Sequence, residues 1–232
     1  MITKKQFAKM QDHSILGPYC RGKDVERFCR EVLKYGFAAV YVNPCDVPLA
    51  KSIIGKKAGI GTVIGFPQGA NTTGTKIFEG LEAIDNGATE LDIVINISRM
   101  KDGDYGYVRR ELTEFTEAMK AKKADVLVKV IIECFFLSHE EKIKACNIVV
   151  ESGADYVKQS TGTTLYQSFS LGDIKLMTEV VKGRIKVKSA GYTANIEDVL
   201  GCVDFGISRI GNNNGPRWIE EFNRQLWFTK GG

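Results

Sequence analysis

The sequence predicts an α/β protein: a single (β/α)8 TIM-barrel domain over residues 1–232, with a short N-terminal helical segment. Two observations predict this fold. A helix–glycine–strand unit recurs along the chain, and Val/Ile-rich runs lie between its copies. The length agrees, since 232 residues accommodate eight βα units. A doubly wound open sheet would also alternate strands and helices. The repeat lacks a glycine-rich nucleotide fingerprint, so the barrel is favoured.

The recurring unit is clearest in its first copy. There the apolar residues follow one helical face until Gly36, and the strand-like residues 37–43 come next. The same order returns three times, with helices ending at Gly87, Gly153 and Gly206. Glycine suits each boundary because it adopts the left-handed conformation that ends many helices. Four such copies indicate parallel strands joined by helices.

Short apolar runs supply the remaining strands. They lie at residues 12–16, 59–65, 126–133 and 184–190, and each is bounded by glycine or polar residues. Several helix starts are also legible, because a capping side chain precedes an acidic residue by three positions. These starts are Ser138 before Glu141, Ser170 before Asp173 and Asn195 before Asp198.

Composition narrows the classes of function. The net charge of +4 is small and dispersed, so neither nucleic acid nor a membrane surface is an expected partner. No apolar run is long enough for a signal peptide or a membrane span, and the six cysteines form no Cys-x-x-Cys pair. The two histidines, His13 and His139, stand far apart, so no metal site is expected. These features predict a reduced, cytoplasmic protein.

In a barrel, chemistry is found at the C-terminal ends of the strands. Three lysines stand near those ends: Lys129 on the fifth predicted strand, Lys158 on the sixth and Lys188 on the seventh. They are 29 and 30 residues apart, one βα repeat each, so they are expected side by side around the rim or lumen.

Lysine is unexpected in strands that are buried on both faces. One interpretation is structural: each lysine pairs with a carboxylate such as Asp92 or Glu133, or extends to the rim. The other is catalytic: clustered cations lower the pKa of one lysine, whose free amine then attacks a carbonyl and forms a Schiff base. Ser160 and Thr161 have no nearby histidine base and are interpreted as hydrogen-bonding groups.

Several segments resemble the deoxyribose-phosphate aldolase family of class I aldolases. They are LDIVIN at 91–96, VKVIIE at 128–133, DYVKQSTG at 155–162 and IKVKSAG at 185–191. Further similar segments cover nearly the whole chain in order: DHSIL near the start, residues 36–51, 62–88, 100–105 and 209–215.

The resemblance implies a function and three catalytic residues. Lys158 corresponds to the Schiff-base lysine, Lys188 to the second lysine that tunes it and assists proton transfer, and Asp92 to the acid/base carboxylate. The implied reaction is reversible cleavage of 2-deoxy-D-ribose 5-phosphate to acetaldehyde and D-glyceraldehyde 3-phosphate, without metal or organic cofactor. The expected partners are therefore small sugar-phosphate and aldehyde substrates. Barrels of this family are often dimers, so a homodimer is a further expectation.

Substrate binding is assigned to strand ends and to the loops after strands six, seven and eight. Members of the family hold the phosphate there mainly with backbone N–H groups and small side chains. The predicted substrate-binding residues are Asp12, Asn43, Lys129, Ser160, Thr161, Gly162, Gly191, Tyr192, Gly211, Asn213 and Asn214.

These loops depart from the family pattern. Tyr192 stands where a second glycine is usual, Ala194 where an arginine is common, and Asn212–Asn214 replace the usual serines, while residues 162–166 lack the common glycine run. Either asparagine amides and a helix N-terminus still hold the phosphate, or Tyr192 partly fills its place and the substrate is unphosphorylated or differently shaped. A non-catalytic barrel is a third alternative, disfavoured because both lysines and Asp92 are present.

Overall fold

The computed structural model describes residues 2–163, 169–193 and 195–229, and only the backbone of 226–229. Within these residues eight parallel strands close into a barrel in sequence order, with β8 paired to β1. The (β/α)8 prediction is confirmed. The strands are β1 (Gln11–Ile15), β2 (Ala39–Val42), β3 (Gly59–Ile64), β4 (Glu90–Val94), β5 (Leu127–Ile131), β6 (Tyr156–Lys158), β7 (Lys186–Ala190) and β8 (Arg209–Asn212).

Helices surround the barrel, and the predicted short N-terminal helix is the first of them. They are α1 (Lys4–Ala8), α2 (Gly22–Tyr35), α3 (Val47–Ile54), α4 (Thr73–Asp85), α5 (Ile97–Lys101), α6 (Tyr105–Lys122), α7 (His139–Glu151), α8 (Leu171–Val181), α9 (Ile196–Asp204) and α10 (Gly215–Thr229). Two short 3-10 helices, Pro44–Asp46 and Cys134–Phe136, follow β2 and β5. Among the described residues no helix has the length and apolar character needed to cross a membrane.

The predicted helix boundaries are confirmed. Gly36 ends α2 in the left-handed conformation, with φ of 70°. All three predicted caps form, because the side chains of Ser138, Ser170 and Asn195 each accept a hydrogen bond from the backbone N–H three residues later. Caps of this kind satisfy N–H groups that the first helical turn leaves unpaired.

The apolar core lies between the strands and the surrounding helices. Trp218 and Phe222 of α10 are buried, and the Phe222 ring stacks on Phe7 of α1 with 4.5 Å between ring centroids. The last helix therefore docks on its own barrel. Inside the barrel, by contrast, most inward side chains are polar or charged, and that lumen positions the site.

Strand register places the lysines on two levels. Lys158 of β6 lies directly opposite Lys188 of β7, but its neighbour on β5 is Ile131. Lys129 stands two residues earlier on β5, where its register partners are Asp92 and Tyr156. The expectation of three lysines side by side is thus corrected to two neighbours with a third one layer below, because adjacent barrel strands are staggered.

Candidate active site

The upper layer of the lumen joins the three predicted catalytic side chains. The Nζ atoms of Lys158 and Lys188 both donate to Oδ2 of Asp92, each at 2.8 Å. All three side chains are almost completely buried. Oδ1 of Asp92 is buried too and accepts no hydrogen bond from the described residues. Two amines therefore share one carboxylate oxygen, and the other oxygen has no hydrogen-bond partner among the described residues.

The lower layer contains a second, more completely paired cluster. Lys129 contacts the carboxylates of Asp12 and Glu90 and the hydroxyl of Tyr41. Arg209 pairs with the same two carboxylates from β8. Tyr41 also donates its hydroxyl to Oε2 of Glu90 at 3.0 Å. Each charge in this layer thus has at least two polar partners, as burial requires.

Asp12 connects the layers. Its Oδ2 lies 2.7 Å from Nζ of Lys188 above and 3.2 Å from Nζ of Lys129 below. Together the layers set four basic side chains against three carboxylates. The excess of one positive charge is relieved when one lysine loses a proton.

Electrostatics separate the two lysine environments. Burial lowers the pKa of Lys188 to about 8, although Asp12 and Asp92 oppose this. Burial acts on Lys129 in the same direction, but its contacts with Asp12 and Glu90 raise its pKa above the ordinary value. Burial also disfavours ionisation of Asp92, yet Lys158 and Lys188 hold the pKa of that carboxyl well below its usual range. The upper layer thus contains a buried anion and an amine that releases its proton near neutral pH.

A cavity of about 320 Å³ opens above the upper layer at the C-terminal ends of the strands. It brings together seven predicted site residues: Lys158, Thr161, Gly162, Gly191, Tyr192, Gly211 and Asn213. Other lining residues include Ser14, Tyr19 and Phe66, which the sequence did not single out. Ser14 lies in β1, and Tyr19 and Phe66 lie in the loops after β1 and β3, whose composition carries no distinctive signal.

Tyr192 lines this cavity but does not fill it. Its side chain is 77% exposed, so it stands at the mouth. This position does not favour the alternative in which Tyr192 takes the place of the phosphate. Two further departures from the family pattern, Ala194 and residues 164–166, lie outside the described residues, whereas Asn212–Asn214 are described.

The loop after β6 is held in place by a buried carboxylate. Glu133 accepts the Ser160 hydroxyl at 2.7 Å and the backbone N–H of Thr161 at 2.9 Å. Its backbone is left-handed, with φ of 48°, a conformation uncommon for a residue with a side chain. Glu133 therefore binds the chain just beyond Lys158 and pairs with none of the three lysines, contrary to the pairing considered from the sequence.

Five predicted substrate-binding residues do not line the cavity: Asp12, Asn43, Lys129, Ser160 and Asn214. Asp12 and Lys129 are fully buried in the lumen, and the Ser160 hydroxyl is bound to Glu133. Asn43 precedes the 3-10 helix after β2. A polar residue at a strand end reaches the cavity only when the strand register brings it to the uppermost level.

The sequence analysis did not identify three members of the lower cluster: Tyr41, Glu90 and Arg209. A usable signal existed for Glu90, which stands two positions before Asp92 and therefore faces the same side of β4. His13, by contrast, is structural, since its ring stacks on Phe28 and Nε2 lies 2.7 Å from Glu31.

Fold and site together define a barrel enzyme of the lysine-dependent aldolase class. The fold supplies a closed lumen, and the site places an amine beneath a substrate-sized cavity. Comparison with known proteins makes the assignment particular: the chain belongs to the DeoC/LacD family of aldolases, whose family model matches residues 6–215.

Similar proteins cover almost the whole chain. The deoxyribose-phosphate aldolase of Thermoanaerobacter sp. (strain X514) is 44% identical over 219 residues, 94% of this chain and 97% of that protein. The deoxyribose-phosphate aldolase of Caldanaerobacter subterraneus subsp. tengcongensis is 44% identical over 230 residues, 97% of this chain and 99% of that protein.

Solved structures agree in fold. "QR15, an Aldolase" superposes with a TM-score of 0.87 at 37% identity, covering 96% of this chain and 98% of that one. The deoxyribose phosphate aldolase of Aeropyrum pernix, described as a tetramer, has a TM-score of 0.87 at 26% identity. The superposition covers 95% of this chain and 92% of that one.

Proposed function

We propose that the protein is a Schiff-base aldolase that reversibly cleaves 2-deoxy-D-ribose 5-phosphate to acetaldehyde and D-glyceraldehyde 3-phosphate. The observation that carries the proposal is the convergence of Lys158 and Lys188 on one oxygen of Asp92 beneath an open cavity. The names of the similar proteins support the same substrate. Lys158 is the nucleophile, because it lines the cavity whereas Lys188 is fully enclosed.

The reaction begins when the Lys158–Lys188 pair has lost one proton. Asp92 Oδ2 touches both amines, so a proton can pass from Lys158 to Lys188 without crossing solvent. This leaves a free amine on Lys158 and an ammonium on Lys188. The free amine then attacks C1 of the sugar aldehyde and forms a carbinolamine, which loses water to give an iminium.

Cleavage uses the iminium as an electron sink. Asp92 Oδ1 accepts the proton of the C3 hydroxyl through a water molecule as the C2–C3 bond breaks. The bond electrons move to the iminium and form an enamine, while C3 becomes the aldehyde of glyceraldehyde 3-phosphate. Protonation of the enamine carbon and hydrolysis of the resulting iminium release acetaldehyde and restore the amine.

The phosphate belongs at the far end of the cavity, among the loops after β6, β7 and β8. Gly162 and Gly191 come close there, with the nearest backbone atom of Gly191 only 3.8 Å from an ideal Cβ on Gly162. The N-terminus of α10 begins at Gly215, just beyond Asn213, and the first turn of a helix presents N–H groups to anions. Backbone N–H groups and the Asn213 amide are the proposed phosphate ligands.

Three further expectations belong to this proposal. One barrel domain carries the whole activity, the chain assembles as a homodimer, and it works in the cytoplasm without a metal or organic cofactor. Sedimentation of the purified protein tests the dimer, for which a mass twice the 25.7 kDa of the chain is expected. Full activity after chelation and exhaustive dialysis tests the cofactor statement.

Reductive trapping tests the nucleophile. Acetaldehyde with borohydride should add a two-carbon unit to Lys158, located by mass spectrometry of peptides from the intact protein. Lys158→Ala should prevent the addition, whereas Lys186→Ala should not, because Lys186 is exposed at the start of β7. A wild-type protein that acquires no label would refute the Schiff-base mechanism.

A second assay tests the phosphate. The kcat/KM for deoxyribose 5-phosphate should greatly exceed that for free deoxyribose. Equal values would overturn the substrate assignment and leave the aldolase chemistry standing.

A further inference from the structure

Tyr41 presents its ring face to the buried amine of Lys188. Nζ of Lys188 lies over that ring, 3.7 Å from its centroid. The ring is fully buried, and its hydroxyl is fixed from below by Lys129 and Glu90. These contacts hold the far end of the ring in the lumen, beside Lys188.

The barrel makes room for this ring at one position on the next strand. A Cβ placed on Gly61 of β3 would lie 2.3–2.5 Å from three carbon atoms of the Tyr41 ring. Gly61 has no left-handed backbone angle that would otherwise require glycine. The absence of a side chain at residue 61 is therefore explained by the space that Tyr41 occupies.

Lys188, on β7, is enclosed by charged and titratable groups from six other strands. Its own contacts are Oδ2 of Asp12 at 2.7 Å, Oδ2 of Asp92 at 2.8 Å and the Tyr41 ring. The titratable and charged groups surrounding it are Asp12 from β1, Tyr41 from β2, Glu90 and Asp92 from β4, Lys129 from β5, Lys158 from β6 and Arg209 from β8. The ring offers Nζ an uncharged surface beside the two carboxylates, and the quadrupole of an aromatic face attracts a cation.

We propose that Tyr41 is a positioning residue that keeps the shared proton on Lys188, so that the amine of Lys158 is free to attack the substrate. The inference rests on the proposed function, because it assigns Tyr41 a part in preparing the Schiff-base nucleophile.

The proposal has a distinctive pH signature. The lysine pair has three relevant states: both amines protonated, the proton on Lys188 alone, or the proton on Lys158 alone. Only the second is productive. The ring stabilises the first two equally, since both carry the cation on Lys188, and it does nothing for the third. Its loss therefore depletes the productive state only where the pair carries one proton.

The variant that removes the ring is Tyr41→Leu. We expect kcat/KM to fall about ten-fold at the alkaline plateau of its pH profile. The acid limb of that profile, where kcat/KM falls as the pH is lowered, should move about one pH unit lower, so that variant and wild type have equal kcat/KM in acid. Tyr41→Phe keeps the ring and should keep the wild-type limb. The double variant Tyr41→Leu/Gly61→Ala refills part of the lost volume and keeps the test available if the single variant fails to fold.

A matched control is Tyr156→Leu. Tyr156 is a buried lumen tyrosine of β6 whose ring faces Lys129, Lys186 and Arg209. This variant should leave the position of the acid limb unchanged, whatever it does to stability.

Three results would overturn the proposal. They are an equal fall in kcat/KM at every pH for Tyr41→Leu, a Tyr41→Phe profile that matches the Leu variant, or a plateau that does not change. Failure of the proposed function would look different, because wild-type protein would then trap no acetaldehyde with borohydride.

Discussion

The two layers of the lumen contain the same residue types, lysines and carboxylates, but the lower layer is structural and the upper layer is reactive. In the lower layer Lys129 touches two carboxylates, Asp12 and Glu90, and its pKa is raised. In the upper layer Lys158 and Lys188 share a single oxygen of Asp92, and burial lowers the pKa of Lys188 to about 8. Lys188 also touches two carboxylates, Asp12 and Asp92, so the number of partners does not separate the two lysines. The balance of nearby charges does: Asp12, Glu90 and Asp92 all raise the pKa of Lys129, whereas the cations Lys158 and Lys129 oppose the two carboxylates at Lys188.

This difference has a general lesson for buried lysines. A buried lysine whose surrounding carboxylates outweigh its surrounding cations remains charged, and removing it leaves uncompensated buried charge. A lysine pair with too few anions releases a proton and becomes available for chemistry. On β4 the two layers are only two residues apart, at Glu90 and Asp92, so the distinction depends on the position of each side chain along its strand.

The largest expected effect removes the nucleophile from the upper layer. Lys158→Ala should lower kcat for deoxyribose 5-phosphate cleavage by about 10⁴-fold or more, because no other described amine lines the cavity. The folded barrel should survive, as shown by circular dichroism and thermal melting. Residual activity within ten-fold of wild type would refute the assignment of the nucleophile to the upper layer.

The second effect removes the proton partner. Lys188→Leu should lower kcat by roughly 10³-fold, the range typical of lost acid–base assistance. Substrate should still bind, since Lys188 has no exposed surface in the cavity, so the Kd from isothermal titration should change little. Near-wild-type turnover would refute its role in proton transfer.

The third effect strikes the lower layer. Lys129→Met should lower the free energy of unfolding by about 3 kcal/mol, because Asp12 and Glu90 lose a buried cation and retain Arg209. Chemical denaturation measures the loss, and Lys186→Met is the matched exposed control. Borohydride should still label Lys158. Unchanged stability would show that the lower layer is not a structural cluster.

The smallest effect is expected at the mouth. Tyr192→Gly should change kcat/KM for the phosphorylated sugar by about three-fold or less, because the ring is 77% exposed. A large gain in kcat/KM on the phosphorylated sugar, with none on free deoxyribose, would show that Tyr192 obstructs the phosphate after all.

The barrel and its helix boundaries were predictable because their signals are local. A glycine at a helix end and a capping side chain act through backbone geometry within a few residues, and Gly36 and Ser138 both act as expected. The convergence of Lys158, Lys188 and Asp92 was also predicted, through resemblance to a known family.

The vertical order inside the lumen was not predictable from spacing. Lys129 is one repeat from Lys158 in sequence, yet strand stagger sets Ile131 beside Lys158. Glu133 was considered as a lysine partner, but its left-handed backbone directs it to Ser160 and Thr161. Such contacts depend on three-dimensional register, which no short sequence pattern encodes.

The fit between Tyr41 and Gly61 also governs how this lumen can change over evolutionary time. A methyl group at residue 61 collides with the ring, so Gly61→Ala is obstructed while Tyr41 is present. The opposite order is open, because a smaller residue at position 41 leaves only a cavity that a later substitution at 61 can fill. Substitution at residue 41 first and at residue 61 second is therefore far easier than the reverse order. The residue types at these two positions should vary together among related proteins.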